Sequence, residues 1–389
     1  MNNHYLDLEY DFLDNRFDSP MWVGSCFNDA RFALAFRKAG FSAFVTKSIS
    51  QLSDGNPPLR HVKVMHNGDI ISTAVSASEY ISFNEGGKLI REIKSKSDIK
   101  VIANIAPNGT ELNTDDLELI CKSYPDLIEL NLKPLSDSNL YGENLTIPLE
   151  DRLKTTVGLA NSLISKVASH ISVPLIVKTT LELADPSFVV RFQKNGAAAI
   201  TLSNSMNVIE PLLHTDEFNF ASQHFPALSG RSLRNITFRN VATNFIHTKT
   251  PIVASGGISS AKDLFYVIGL GAMTAELVTI LFKRKPKHLS NLKTELSKIL
   301  SSNGFSSITE LRGSLTKFVL TQKKIKPHTF QINQSCCNQC GMCAFLCPYD
   351  AVKKNDKNYF ILPKECVGCG LCVIGCDTNA IKEDTQPSQ

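Results

Sequence analysis

The sequence predicts an α/β chain, with a (β/α)8 barrel over residues 1–325 and a small α+β module over residues 326–389. Two observations predict the barrel. Short apolar runs alternate with stretches of helical periodicity, the pattern of right-handed βαβ units on a parallel sheet. Eight such units fill roughly 250 residues, the size of a closed eight-stranded barrel. A third observation sets the end of the chain apart: nine of its 11 cysteines crowd between Cys336 and Cys376.

The expected strands, in order, are Met21–Ser25, Ala43–Lys47, Lys100–Ile105, Leu127–Leu132, Pro174–Thr179, Ala198–Ser203, Pro251–Ser255 and Met273–Thr279. Helical periodicity marks Ala30–Ala39, Asp115–Ser123, Leu149–Ser169, Pro186–Asn195 and Ala261–Ile268 between them. A doubly wound sheet loses support because no G-x-G-x-x-G follows the first strand. Thr321–Gln334, with Pro327, reads as the linker between the two domains.

Composition sets the broad class. With 43% hydrophobic and 20% charged residues, the 389-residue chain is of ordinary globular type. A net charge of +4 is too mild to argue for nucleic acid. No apolar run approaches the ~18 residues of a membrane span. The first residues, Met1-Asn2-Asn3-His4, lack a signal-peptide pattern, so the expected compartment is the cytoplasm.

Barrel chemistry gathers at the C-terminal strand ends. Those ends carry Gly24 and Ser25, Lys47 and Ser48, Asn104, Asn131, Lys178, Asn204 and Ser205, Gly256 and Gly257, and Thr279. One strand-end lysine alone reads as a snorkelling side chain. Lysines, amides and hydroxyls repeated at successive ends are hard to explain as packing. Ala254-Ser255-Gly256-Gly257-Ile258 after the seventh strand, with Thr279 at the eighth, suits a phosphate, because glycines let bare N–H groups approach an anion. From the barrel alone, a phosphate-binding aldolase or synthase using Lys178 as a Schiff base is also open, but it leaves the cysteine module unexplained.

The cysteines form two C-x2-C-x2-C-x3-C runs, Cys337, Cys340, Cys343, Cys347 and Cys366, Cys369, Cys372, Cys376, each position offset by 29 from its counterpart. Three thiolates at this spacing grip one cubane, and the fourth completes the neighbouring one. Cys337, Cys340, Cys343 and Cys376 are therefore assigned to one [4Fe-4S] cluster, and Cys366, Cys369, Cys372 and Cys347 to the other. Structural zinc prefers four ligands as paired C-x2-4-C units, which two interlocked quartets fit poorly. Over about sixty residues the module resembles a bacterial two-cluster ferredoxin. Pro348 follows the first quartet as in that family, whereas Asp377 replaces the second proline.

The barrel also resembles a family. Gly40-Phe41-Ser42-Ala43-Phe44-Val45-Thr46-Lys47-Ser48, with Gly55-Asn56-Pro57 after it, is similar to the second-strand motif of dihydroorotate dehydrogenases and of the flavin domain of dihydropyrimidine dehydrogenases. Val101-Ile102-Ala103-Asn104, Glu129-Leu130-Asn131-Leu132, Val177-Lys178, Asn204-Ser205, Leu228-Ser229-Gly230 and Gly256-Gly257-Ile258 follow in the family's order. The resemblance runs from about Ser19 to Gly313, and the dihydropyrimidine dehydrogenase type also joins such a barrel to a two-cluster module.

The resemblance implies an FMN-binding barrel. Gly24, Ser25, Lys47, Ser48, Asn104, Asn131 and Lys178 would contact the flavin, with Lys47 and Lys178 free to face its electron-rich edge. Gly230, Gly256, Gly257, Val278 and Thr279 would surround its phosphate, and Asn131, Asn204 and Ser205 would reach the substrate. The sequence also departs from the family. In the fourth-strand motif, Pro134 stands where the family places its Cys or Ser acid/base, leaving Lys133, Ser136, Ser138, Tyr141 or water to move the proton. Ile70-Ile71-Ser72-Thr73 stands near the place of a substrate-side asparagine, and Val278 replaces a glycine of the last phosphate loop.

The expected function is an FMN- and iron–sulfur-dependent oxidoreductase acting on a C=C or CH–CH bond of a pyrimidine-like or other unsaturated carbonyl substrate. The rival is an electron-transfer subunit with a catalytically inactive barrel. No nicotinamide fingerprint appears, so electrons are expected to pass through the clusters to or from a separate NAD(P)H-linked flavoprotein or a ferredoxin. Lys283-Arg284-Lys285-Pro286-Lys287-His288 and Lys323-Lys324-Ile325-Lys326 read as docking patches or as solvated charge runs. A homodimer is implied by the family alone.

Overall fold

A computed structural model describes residues 6, 8–51, 62–65, 68–72, 80–142, 146–208, 226–320 and 329–383. Contacts divide the chain into two compact units, Met1–Leu320 and Thr321–Gln389.

The first unit is a closed parallel barrel of eight strands. They are β1 (Met21–Val23), β2 (Ala43–Val45), β3 (Lys100–Ile105), β4 (Leu127–Asn131), β5 (Leu175–Lys178), β6 (Ala199–Leu202), β7 (Ile252–Ser255) and β8 (Thr274–Leu277). Every strand lies within the run that the apolar alternation marks. β8 pairs back onto β1, with Glu276 opposite Trp22. The strands are buried almost throughout, as expected of a parallel sheet covered on its outer face by helices.

The intervening helices begin where the chain supplies an N-cap. Asp29 caps Ala30–Lys38, Asn113 caps Thr114–Cys121, Asp185 caps Pro186–Lys194 and Ser260 caps Ala261–Gly269. Each side chain accepts a bond from an N–H that the helix leaves unpaired. Ser82 and Glu85 form a reciprocal capping box ahead of Phe83–Lys96.

Two features were not in the sequence reading. An N-terminal hairpin, Tyr10–Phe12 with Asn15–Phe17, packs its aromatic rings on Trp22. The long loops leaving β2 and β6 also meet as a four-stranded antiparallel sheet, in the order Met206–Asn207, Ala227–Ser229, Ile70–Ser72 and Val62–Val64. This sheet brings Asn207 and Ser229 to the same side of the barrel as the strand ends.

The second unit repeats one motif twice. Phe330–Ile332 pairs with Ile381–Glu383, and Val352–Lys354 pairs with Tyr359–Ile361. Short helices Met342–Phe345 and Leu371–Ile374 start at Gly341 and Gly370, left-handed at φ +77° and +79°. The Thr321–His328 part of the expected linker with Pro327, the Lys323–Lys326 run, Gly55-Asn56-Pro57, Thr73 and the first four residues lie outside the described residues.

Candidate active site and cluster ligands

A polar chain crosses the barrel mouth. Ser25 Oγ lies 3.3 Å from Ser48 Oγ, and Asn131 Nδ2 donates to Ser48 Oγ at 3.5 Å. Asn131 Oδ1 accepts from Asn204 Nδ2 at 3.0 Å and from the Lys133 backbone N–H at 3.0 Å. Asn204 Oδ1 in turn accepts from the Ser205 N–H at 2.9 Å. Four strand ends, those of β1, β2, β4 and β6, thus share one hydrogen-bonded row.

Lys133 stands beside this row. Its Nζ donates to Asn207 Oδ1 at 2.6 Å and to Asp137 Oδ1 at 3.0 Å, and the lysine is 5% exposed. Asn207 Nδ2 closes the triangle on Asp137 at 2.8 Å. The segment after β4 is a helix, Lys133–Tyr141, with Pro134 in its first turn, where a missing N–H costs nothing. Ser136 is buried with its hydroxyl 3.1 Å from that of Thr180. Tyr141 donates to Glu182, and Ser138 is exposed. Among the residues that could move a proton in place of Pro134, Lys133 meets Asn131 through its backbone N–H, while its Nζ is held by Asp137 and Asn207.

Beneath the row lies a buried charge cluster that the sequence reading missed. Lys178 Nζ bonds Glu276 Oε2 and lies 3.5 Å from Glu129 Oε1, with both carboxylates fully enclosed. Lys178 is therefore not free to face a ligand unopposed, as the sequence suggested. Glu129 also accepts from Asn104 Nδ2 and Thr201 Oγ1, each at 2.6 Å. Burial opposes the Lys178 charge, but Glu129 and Glu276 outweigh it and hold the ammonium above the usual lysine range. An amine held in that state is a poor Schiff-base nucleophile, which removes support from the aldolase alternative. Burial, then the neighbouring charge of Glu129, pushes Glu276 up to about 8. Burial also works against Glu129, yet Lys178 and three hydrogen-bonding partners hold it below the usual carboxylate range. The available signal was an acidic residue inside each of two otherwise apolar strands, Leu-Ile-Glu129-Leu-Asn and Thr-Ala-Glu276-Leu.

The glycine loops lie where a phosphate would need them. Gly256 and Gly257 have φ +102° and +78°, and a Cβ on Gly257 would meet the Arg234 backbone nitrogen at 2.4 Å. Gly230, at φ +124°, packs on Asp69, whose carboxylate accepts from the Ser232 N–H at 3.2 Å. Thr279 opens a short helix and donates to Ser229 Oγ at 3.2 Å. Val278 leans towards Gly24, where an added Cβ would lie 2.5 Å from Val278 Cγ2. Asn104 Oδ1 is buried without a partner, as an acceptor awaiting a donor on a bound ring would be. With Lys47 half-buried near Cys26 and Lys178, this donor set fits a phosphorylated flavin.

In the second unit the cysteines line two cavities. Cys347, Cys366, Cys369 and Cys372 line one, and Cys337, Cys340, Cys343 and Cys376 line the other. The fourth cysteine of each run therefore crosses to the other cavity. Among the described residues no three His, Cys, Asp or Glu side chains converge to hold a single metal ion. Thiols spread around a cavity suit a cubane better than one zinc ion. The N–H groups of Ala351 and Ala380, 29 positions apart, point at the sulfurs of Cys347 and Cys376 at 3.3 and 3.2 Å.

Known proteins match both units. The profile described as Dihydroorotate dehydrogenase matches residues 7–300. The chain belongs to the dihydroorotate dehydrogenase family. The 4Fe-4S binding domain profile matches twice, over residues 330–353 and 359–382. The protein is thus a family barrel joined to an iron–sulfur domain, of flavoprotein oxidoreductase type. Similar relatives include Dihydroorotate dehydrogenase B (NAD(+)), catalytic subunit, of Caldicellulosiruptor saccharolyticus, 28% identical over 71% of this chain and 87% of that protein. Dihydroorotate dehydrogenase (fumarate) of Saccharomyces bayanus is 26% identical over 78% of this chain and 96% of its own length. Putative dihydroorotate dehydrogenase A (fumarate) of Aeropyrum pernix is 24% identical over 73% and 89%. Among the described residues no helix of this dihydroorotate dehydrogenase family member is long and apolar enough to cross a membrane.

Proposed function

We propose that the chain is an FMN- and iron–sulfur-dependent oxidoreductase that reduces or oxidises a CH–CH bond of a pyrimidine-like or other unsaturated carbonyl substrate. Electrons pass through two [4Fe-4S] clusters to or from a separate NAD(P)H-linked flavoprotein or a ferredoxin. The observation that carries this reading is the Ser48–Asn131–Asn204 row over buried Lys178, in a chain that also carries two cysteine-lined cavities. A relative named as the catalytic subunit of an NAD(+)-linked enzyme supports a separate electron partner.

Ser25, Lys47, Ser48, Asn104 and Lys178 would hold the flavin ring, and Gly230, Gly256, Gly257 and Thr279 its phosphate. Bound FMN supplies hydride exchange and the clusters single-electron exchange. Asn131 and Asn204 offer side-chain amides that match the alternating donors and acceptors of a pyrimidine-like ring. Lys133, whose backbone N–H bonds Asn131, would hold a proton at Nζ in place of the side chain that Pro134 lacks. Asp137 and Asn207 fix that ammonium, so it presents a donor in one orientation. Val278 beside Gly24 favours a second reading, in which a narrowed phosphate loop leaves an electron-transfer subunit with an inactive barrel.

The test is anaerobic purification with FMN, iron and sulfide quantified, followed by flavin reoxidation with unsaturated ring substrates. The expected result is one FMN and roughly eight iron and eight sulfide ions per chain, the content of two cubanes. Reoxidation by at least one cyclic unsaturated carbonyl compound completes it. Metal without flavin, together with failure to take up FMN, would overturn the enzyme reading and favour the second.

A further inference from the structure

The cluster under the barrel mouth holds more acid than base. Glu129, Lys178 and Glu276 are buried together, so full ionisation would leave one unbalanced negative charge. An enclosed site resolves such an excess by retaining a proton. The hydrogen bonds indicate which carboxyl keeps it. Glu129 is surrounded by donors from Asn104, Thr201 and Lys178. Glu276 bonds Lys178 through Oε2 and Glu129 through a side-chain hydrogen bond that raises Glu276 and lowers Glu129, while its Oε1 accepts from no donor.

Besides Glu129 and Lys178, the groups on this side of the cluster are Gly24, Val278, Cys26 and Lys47. β1 contributes Gly24 at its end, where an added Cβ would approach both Val278 and Glu276. Cys26 carries a thiol pushed up by burial and therefore neutral, and Lys47 is the further cation on this side. β4 and β5 contribute Glu129 and Lys178 themselves. The same ordering follows from electrostatics, since burial and Glu129 push Glu276 up while Glu129 is held down.

We propose that Glu276 is a positioning residue that holds a proton beside Lys178 and thereby leaves part of the lysine's charge available to an electron-rich ring at the barrel mouth. With the proton in place the three groups sum to zero. Once Glu276 ionises, Lys178 is shared between two carboxylates and the cluster turns negative, opposing any electron-rich or anionic ligand. Ring affinity then falls as pH rises, through a group that does not touch the ring. The inference rests on the flavin reading of the barrel.

Riboflavin is the probe, because it lacks the phosphate whose own titration would confuse the result. Its fluorescence quenching by the flavin-depleted full chain is measured from about pH 6 to about pH 9.5, for wild type and Glu276→Gln. The expected wild-type affinity drops about tenfold per pH unit once Glu276 ionises, while Glu276→Gln keeps the low-pH affinity throughout. Parallel profiles in the two proteins overturn the proposal. Infrared spectroscopy of the flavin-free wild type gives a second readout, independent of flavin and of how the variant folds. A protonated-carboxyl C=O band should be present at neutral pH and titrate away in the alkaline range, and its absence also overturns the proposal. Should riboflavin bind neither protein at any pH, the flavin reading fails, and the infrared band still decides the state of Glu276.

Discussion

Lys178 on β5 and Glu276 on β8 meet inside the barrel, the ammonium bonding the carboxylate with both side chains closed off from solvent. The pair has a third member in Glu129, whose charge Lys178 balances, so removing the cation strands that carboxylate. Breaking a buried pair by deleting one partner costs about 3–5 kcal/mol. Lys178→Met should therefore unfold at markedly lower denaturant near neutral pH, with the deficit shrinking in acid as Glu129 takes up a proton. Denaturant midpoints at both pH values check this.

The same cluster fixes how wild-type stability responds to pH. Glu276 sits at about 8 in the folded chain against an ordinary value of 4.5, so between those values the native state holds a proton the unfolded chain has released. This contribution is complete below 4.5 and lost as pH rises through about 8. Glu129 behaves oppositely: held low, it contributes above 4.5 and loses that contribution as pH falls through its folded value. Wild-type unfolding midpoints should decline from mildly acid to alkaline pH, and Glu276→Gln should flatten that decline. Equal slopes would show that another group carries the proton.

The interlocked cavities predict an asymmetric loss of metal. Cys347 belongs by sequence to the first run but lines the cavity of Cys366, Cys369 and Cys372. Cys347→Ser should impair the cluster held by the second run and leave the first intact, with Cys376→Ser doing the reverse. Iron content should fall by up to about half in each. Electron paramagnetic resonance of the reduced proteins distinguishes the two, and damage confined to the run that carries the substitution would contradict the crossing.

Much of this was legible in the sequence, for physical reasons. The eight barrel strands announce themselves because a parallel strand buried on both faces must be apolar throughout. The duplicated cysteine spacing is likewise local information. The sheet joining Ile70–Ser72 to Ala227–Ser229 was not legible, because its central pairing joins three-residue strands over 150 positions apart. Glu129 and Glu276 were visible as acids in apolar strands, but nothing local says that both converge on Lys178. Asn207 carried no signal at all, since the loop that delivers it to Lys133 is placed by that same sheet.

The phosphate loop gives a prediction about backbone. Gly257 is left-handed at φ +78°, and a methyl there would press on the Arg234 backbone at 2.4 Å. Gly257→Ala should cost about 1–2 kcal/mol of stability from the backbone conformation alone. It should also lower FMN retention more than Gly304→Ala, whose glycine has a similar φ of +79° but no atom within 4 Å of the added carbon. Comparable flavin loss in both variants would remove Gly257 from the phosphate site.

The proton donor is the sharpest question, because Lys133 is the replacement proposed for the group missing at Pro134. Lys133 is held by Asp137 and Asn207 and touches the row through its own backbone and Asn131. A positioned acid or base contributes about 10²–10⁴-fold to rate. Lys133→Met should lower turnover of whichever substrate the screen identifies by that order while leaving FMN content unchanged. Asp137→Asn should give a smaller fall, since Asn207 still orients the ammonium. Pro134→Cys then supplies a family-type thiol one residue away. Turnover of uracil or dihydroorotate by Pro134→Cys would mean the site still accepts those rings and lacked only the proton donor. Silence on both rings, with Lys133→Met crippling a different substrate, would mean the Lys133–Asp137–Asn207 triangle has re-specified the pocket itself.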